Sequence, residues 1–116
     1  MRAPLMIALL ITASMTAASW YSLGTWNGDG TKQTSSFTTT QREWRVRWTV
    51  KATDPKFANV SAFSGIVMDA KDDSPVSTFS DSKDGESYVR TAAGRYYIRV
   101  SGVNATWTVT AEEMRE

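Results

Sequence analysis

Glu43–Ala52, with the sequence EWRVRWTVKA, alternates between apolar and polar side chains without a break. The apolar residues, which share one face, are Trp44, Val46, Trp48, Val50 and Ala52. The polar residues on the other face are Arg45, Arg47, Thr49 and Lys51. Because successive side chains of a strand point to opposite sides of a sheet, this pattern predicts a half-buried β-strand.

Two stretches nearer the C-terminus repeat the alternation: residues 95–101 read RYYIRVS and residues 106–111 read TWTVTA. Their predicted inward residues are Tyr96, Ile98, Val100, Trp107, Val109 and Ala111. Shorter strands are expected at residues 36–40, 76–80 and 86–91, and residues 57–60 and 62–70 are expected to form one or two more. About seven or eight short strands separated by turns predict an all-β fold, a single antiparallel β-sandwich of the jelly-roll or immunoglobulin-like type.

The N-terminus has the three parts of a secretory signal peptide. Arg2 gives a basic start, residues 5–11 (LMIALLI) an apolar centre, and residues 12–19 (TASMTAAS) a run of small residues. Cleavage is expected after Ser19 or one residue earlier. The uncharged stretch from residue 3 to residue 28 would also suit an uncleaved membrane anchor, since a spanning helix needs about 20 residues.

Hydroxyl and amide side chains make the second half of this stretch only weakly apolar, which favours cleavage over anchoring. We therefore expect an exported protein, secreted or held in the cell envelope of a bacterium. The predicted parts are a signal peptide or anchor helix at 1–19, a linker or irregular lead-in strand at 20–36, the β-sandwich at 37–111 and a charged tail at 112–116.

Charge and composition exclude several classes of function. The chain has 13 basic and 12 acidic residues, and removing residues 1–19 removes only Arg2, which leaves 12 of each sign. A nucleic-acid-binding domain normally has a basic excess, so no nucleic acid is expected. The chain has neither cysteine nor histidine, and so lacks the usual zinc ligands, the Cys–His nucleophile pair and the base of a serine triad. We expect no metal, no cofactor and no catalysis; a small hydrolase with a carboxylate or Ser–Lys pair is the weaker alternative.

Three segments in the second half of the chain resemble a known family. These are residues 65–72 (GIVMDAKD), 93–100 (AGRYYIRV) and 107–109 (WTV). Over about residues 57–111 the chain is similar to small secreted bacterial β-sandwiches of the pre-peptidase C-terminal type. The resemblance implies a sandwich fold and export, and it suggests binding of a polymer or of calcium.

The five tryptophans raise the question of ligand binding, because flat aromatic rings stack on sugars. Trp44, Trp48 and Trp107 share their faces with valine and alanine, and so are predicted to lie in the core. Trp20 and Trp26 precede the sandwich and would be exposed or would cap it. Of these two, Trp26 is the predicted contact residue.

The outward residues suggest a binding face. If the strands at 43–52 and 95–101 share a sheet, then Arg45, Arg47, Tyr97 and Arg99 cluster on its solvent side. Arginines beside an aromatic ring could hold an anionic glycan or another anionic polymer of the cell envelope. The alternative is a solvated sheet face with neighbouring acids.

The acidic residues lie in loops, as Asp69, Asp72 and Asp73 in one, and Asp81, Asp84 and Glu86 in another. They would suit calcium only if clustered, and solvated loop acids are the preferred interpretation. The sequence thus predicts a non-catalytic exported module that binds a polymer or a protein partner, with membrane contact only through an uncleaved N-terminus. The alternative is a structural subunit whose partner covers Trp26 or a sheet edge.

Overall fold

The computed structural model describes residues 18–81 and 83–116, so the predicted N-terminal signal or anchor helix lies outside the described residues. In this part of the chain, no helix is both long and apolar enough to cross a membrane. The described residues form nine strands and one short 3₁₀ helix at Pro55–Val60. The strands are β1 (Ser19–Asp29), β2 (Lys32–Gln33), β3 (Phe37–Thr38), β4 (Glu43–Ala52), β5 (Ala62–Asp69), β6 (Ser74–Ser80), β7 (Gly85–Arg90), β8 (Arg95–Val103) and β9 (Ala105–Arg115).

The strands form two antiparallel sheets that pack as a sandwich. The first sheet has the order β1-β9-β4-β7, and the second has the order β2-β8-β5-β6, with β3 also paired to β8. β4 and β9 pair without interruption from Trp44 opposite Glu113 to Ala52 opposite Ala105. The predicted all-β fold class is confirmed, with nine strands in the described chain rather than seven or eight.

The core contains most of the inward residues that the alternation predicts, together with Phe37, Phe63, Val67, Phe79, Val89 and Ala105. The predicted residues that are buried in the core are Trp44, Val46, Trp48, Tyr96, Ile98, Val100, Trp107, Val109 and Ala111. Val50 is partly buried and packs against them. Aromatic contacts join the two sheets, since Trp48 stacks on Phe79 with ring centroids 4.7 Å apart, and Trp44 packs on Tyr96 at 5.7 Å.

Tyr96 also fixes the turn that precedes its own strand. Its hydroxyl donates a hydrogen bond to the carbonyl of Ala92, four residues upstream. This arrangement has the form of the tyrosine corner found in β-sandwiches.

The sandwich begins earlier and ends later than the sequence predicts. β1 pairs with β9 along its whole length, from Ser19 opposite Arg115 to Asp29 opposite Thr106. Residues 20–29 are therefore a sheet strand rather than a linker, in keeping with the lead-in strand that was the other interpretation. The predicted charged tail is also part of the sheet, because β9 continues to Arg115.

The strand predicted at residues 57–60 is wrong. The chain forms the 3₁₀ helix Pro55–Val60 there, and the Asp54 side chain caps it by accepting a hydrogen bond from the Lys56 amide. Proline suits the first position of a helix because its φ angle is already helical and the amide it lacks would be unpaired. The apolar residues Phe57 and Val60 are thus exposed and are not part of the core.

Glu113 is a fully buried carboxylate that fixes the loop before β4. One carboxylate oxygen accepts hydrogen bonds from the backbone amides of Thr40 and Gln41, at 2.8 and 3.2 Å. The other accepts from the Thr40 hydroxyl at 2.7 Å and from the Arg115 Nε at 2.8 Å. Burial alone would raise the pKa of Glu113, but these hydrogen bonds outweigh burial and lower it. The carboxylate therefore stabilises the fold in its charged form.

Replacing Glu113 with glutamine should destabilise the domain by about 1–3 kcal/mol at neutral pH, because an amide cannot accept all four hydrogen bonds. Since the folded pKa is lowered, the carboxylate stabilises the fold above its unfolded pKa, and this contribution disappears as the pH falls through the folded value. Urea unfolding of the full chain across the acid range would measure both effects. The exposed Glu116→Gln is the control, and equal stability of the two variants would contradict this role.

Gly65 gives a second test of the core. It lies opposite Phe79 in the β5–β6 pair, and a Cβ atom there would stand 2.2 Å from the Phe79 ring. Because Phe79 is stacked on Trp48, Gly65→Ala should lower the unfolding free energy by about 1–3 kcal/mol. Gly94→Ala is the matched control, since its Cβ would have ordinary contacts at 3.8 Å. Equal unfolding free energies for the Gly65→Ala and Gly94→Ala proteins would contradict this packing.

Candidate functional site

The predicted cluster of Arg45, Arg47, Tyr97 and Arg99 is not formed. β4 lies in the first sheet and β8 in the second, so the two strands do not share a sheet. Arg45 and Arg47 face away from the core on one side of the sandwich, and Tyr97 and Arg99 face away on the other. Alternation identifies the inward side of each strand, but it carries no information about which sheet the strand joins.

Tyr97 is buried, although the sequence predicts exposure. Its hydroxyl donates a hydrogen bond to Asp73 at 2.7 Å, and its partner on β5 is the equally buried Met68. The hydrogen bond to Asp73 raises the pKa of Tyr97, as do burial and the Asp73 charge, while Arg99 opposes the shift. Tyr97 therefore ties the loop before β6 to the second sheet, and Arg99 remains as an exposed residue on that sheet.

Trp26 is half-buried and packs against the edge of the core. Its ring packs on Phe37 with centroids 5.4 Å apart, and its indole nitrogen donates to the Ser35 hydroxyl at 3.0 Å. Phe37 lies in β3 and Ser35 lies just before it, so both partners belong to the second sheet or its loops. Its surface is thus mainly used inside the domain.

A connected set of side chains lies instead on the outer side of the first sheet. We call it the Arg45 network, and its members are Trp20, Arg45, Glu86, Tyr88 and Glu112. The Arg45 Nε donates to Glu112 at 2.7 Å, and the guanidinium lies 3.7 Å from the centre of the Trp20 ring. Tyr88 donates to Glu86 at 2.9 Å, and its ring is 6.2 Å from that of Trp20. Four strands, β1, β9, β4 and β7, each contribute to this network.

Arg45 is the centre of this network and is mostly covered, with a side chain only 11% exposed. Burial alone would lower its pKa, but hydrogen bonds with Glu112 and Tyr88 and the charges of Glu112 and Glu86 outweigh burial and raise it. Arg45 is therefore a fixed cation whose charge is already paired. Its role in the site is to hold the surrounding rings and carboxylates in place.

Two open clefts lie on either side of the Arg45 network. The first, the polar cleft, has a volume of about 440 Å³ and is lined by Arg47, Trp48, Thr49, Asp84, Gly85, Glu86, Thr108, Thr110 and Glu112. The second, the aromatic cleft, has a volume of about 610 Å³ and is lined by Trp20, Gln41, Arg42, Glu43, Tyr88 and Met114. The network joins them, because Glu86 and Glu112 line the polar cleft while Trp20 and Tyr88 line the aromatic cleft.

Of the predicted residues, Arg45 and Arg47 belong to this site, whereas Trp20 replaces Trp26. The sequence does not predict Tyr88 or Glu112 as contact residues, it ranks Trp20 below Trp26, and it predicts Glu86 only as a loop acid. One signal for Glu112 was available, because the alternation that runs through residues 106–111 continues to it.

Several acidic loop residues accept hydrogen bonds, from their own loops or from a neighbouring strand. Asp69 accepts a hydrogen bond from the Lys71 amide, Asp84 accepts from the Val50 amide, and Asp72 accepts from both the amide and the hydroxyl of Ser74. The bond from the Ser74 hydroxyl is the main cause of a lowered pKa of Asp72. Within residues 18–81 and 83–116, no three acidic side chains gather as they would around a metal ion.

The pairing of Arg45 with Glu112 can be measured directly. Arg45→Met should destabilise the domain by about 1–3 kcal/mol, because it leaves Glu112, which is 15% exposed, without its closest cation. Combined with Glu112→Gln it should show a coupling energy of about 0.5–3 kcal/mol in a double-mutant cycle. Arg90→Met is the control, since the Arg90 side chain is 82% exposed in its pair with Glu43 and should contribute less than about 1 kcal/mol. Equal losses of unfolding free energy in Arg45→Met and Arg90→Met would contradict a stabilising pair between Arg45 and Glu112.

No family model matches the chain, and no curated protein is significantly similar to it. The similarity to the pre-peptidase C-terminal type therefore stays a prediction.

Proposed function

We propose that this chain is a non-catalytic, exported binding module, and that its ligand is a polymer rich in hydroxyl groups lying along the outer side of the first sheet. The observation that carries the proposal is the Arg45 network, which sets two aromatic rings beside fixed hydrogen-bonding groups between two clefts. Export is proposed from the N-terminal sequence, and a jelly-roll or immunoglobulin-like topology from the strand pattern.

The chemistry of this surface suits a glycan. Tyr88 is 51% exposed, and an exposed ring next to Trp20 provides an apolar face on which a sugar ring can stack. Arg47 and Glu86 have side chains 54% and 42% exposed, and charged groups make the stronger hydrogen bonds to hydroxyls. A mainly apolar platform with a few placed polar groups is the usual composition of a ligand site.

The charges favour an uncharged ligand over the anionic polymer that the sequence suggested. The polar cleft is lined by three carboxylates, those of Asp84, Glu86 and Glu112, against the single cation Arg47. Arg45 is already paired with Glu112. An anionic glycan is the alternative ligand, and the test below separates the two.

A second candidate function is that of an interaction subunit bound through one end of the sandwich. Three apolar side chains are prominently exposed there, at 57% for Phe57, 54% for Val60 and 63% for Val103. The Asn104 side chain holds them together, because its amide donates to the Phe57 carbonyl at 2.9 Å. Exposed apolar groups that lie close together are typical of protein contacts.

Glycan binding can be tested with the full chain on an array of neutral and anionic polysaccharides. Tyr88→Ala and Arg47→Ala should each weaken binding to a neutral glycan about tenfold, which corresponds to about 1.4 kcal/mol. Arg99→Ala is the control and should bind like the wild type, because Arg99 lies on the second sheet. Binding of anionic polymers alone would support the alternative ligand. Binding that Arg99→Ala weakens as much as Tyr88→Ala, or no binding to any polymer, would overturn the proposal.

A further inference from the structure

β1 is a long strand at the edge of the first sheet. Its 11 residues pair on one side with β9, and no other strand of the described chain pairs with its second side. An edge strand has a row of amide and carbonyl groups that point away from the sheet, and such a row is a template for another strand.

The second side of β1 is not covered by the segment that follows it. After Gly30, whose amide donates to the carbonyl of Ala105, the chain enters β2, which pairs with β8 in the second sheet. Trp26 and Ser35 close the inner opening between the sheets. The connection from β1 to β2 therefore passes on the inner side of the first sheet, and the outer edge of β1 stays free for another strand.

β1 also has few of the features that protect other edges. Residues 19–28 include no charged residue and no proline. By contrast, β6 has Pro75 and a register shift, β7 has Glu86 and Arg90, and β2 and β3 have two residues each. The one irregularity of β1 is a register shift between Ser22 and Gly24, after which six residues, Gly24 to Asp29, pair regularly with β9. Charges, prolines and short lengths are what normally prevent edge pairing.

We infer that β1 is a self-association edge, which pairs antiparallel with β1 of a second copy of this chain about a twofold axis. A second copy brings an identical row of unpaired backbone groups, so one contact satisfies both edges, as in an isologous dimer. Residues 19–28 are uncharged, and the one charged residue of β1, Asp29, lies at its end. Because the strands are antiparallel, the two Asp29 side chains would lie at opposite ends of the paired segment, so no like charges meet. Residues 19–28 have no charged side chain that could select a strand of a different, oppositely charged protein.

This dimer would join the two first sheets into one sheet of eight strands. The twofold axis of an antiparallel strand pair is perpendicular to the sheet, so both Arg45 networks would lie on the same side. A polymer could then occupy both sites at once, which raises the apparent affinity without any new contact. The pairing of β1 itself is independent of the proposed ligand.

The mass of the full chain, measured by sedimentation over a wide concentration range without ligand, tests the inference. A dimer is expected. Asn27, Thr108 and Thr49 lie in one row across β1, β9 and β4, so Asn27→Lys places a charge at the edge and Thr49→Lys places the same charge two strands inside. The first should weaken the dimer at least about tenfold through repulsion across the axis, and the second should leave it unchanged.

Hydrogen exchange on the unmodified chain gives a readout that needs no variant. In the dimer, all amides of residues 24–29 should be protected, whereas in a monomer every second amide, which points away from β9, should exchange freely. A monomer at all concentrations, a dimer equally sensitive to both lysines, or unprotected alternate amides in the dimer would each overturn the inference. Loss of glycan binding in a protein that still dimerises would instead count against the proposed function alone.

Discussion

The pairing of β4 with β9 is the constraint on which the rest of this domain depends. Nine consecutive residue pairs set Trp48 opposite Val109 and Val50 opposite Trp107 on the inside. The same register sets Arg45 opposite Glu112 on the outside. A slip of one residue would reverse the direction of every side chain in the strand, so the aromatic core and the Arg45 network are established by one set of backbone hydrogen bonds.

Two neighbouring carboxylates show how this register divides structure from surface chemistry. Glu112 points outward and pairs with Arg45, while Glu113 points inward and accepts hydrogen bonds from the loop before β4. Adjacent residues of a strand necessarily face opposite sides. Residues 112–116, which the sequence predicts to be a charged tail, therefore supply both a buried carboxylate and a component of the candidate site. The chain has no cysteine, so packing, hydrogen bonds and ion pairs of this kind hold the domain together.

The sequence was sufficient to predict the strands at 43–52, 95–101 and 106–111 and the inward tryptophans, because these depend on a local period of two. It was insufficient to predict which strands share a sheet, since pairing joins segments far apart in the chain. The predicted cluster of Arg45 with Arg99 required β4 and β8 to share a sheet, and they do not. A local feature explains why Trp20, and not the predicted Trp26, lies at the candidate site. The register shift between Ser22 and Gly24 adds one residue to β1, so two tryptophans an even number of residues apart face opposite sides of the sheet.

The pairing of Ser19 with Arg115 has a consequence for how such a domain can be linked to other proteins. Paired strands lie about 4.8 Å apart, so the two ends of the described domain are neighbours. A domain whose ends meet can be inserted into a surface loop of a larger protein, or have its ends joined and be reopened at an exposed turn, with little change to its interior. The adjacent ends would therefore let the domain be joined to other domains without disturbing its core.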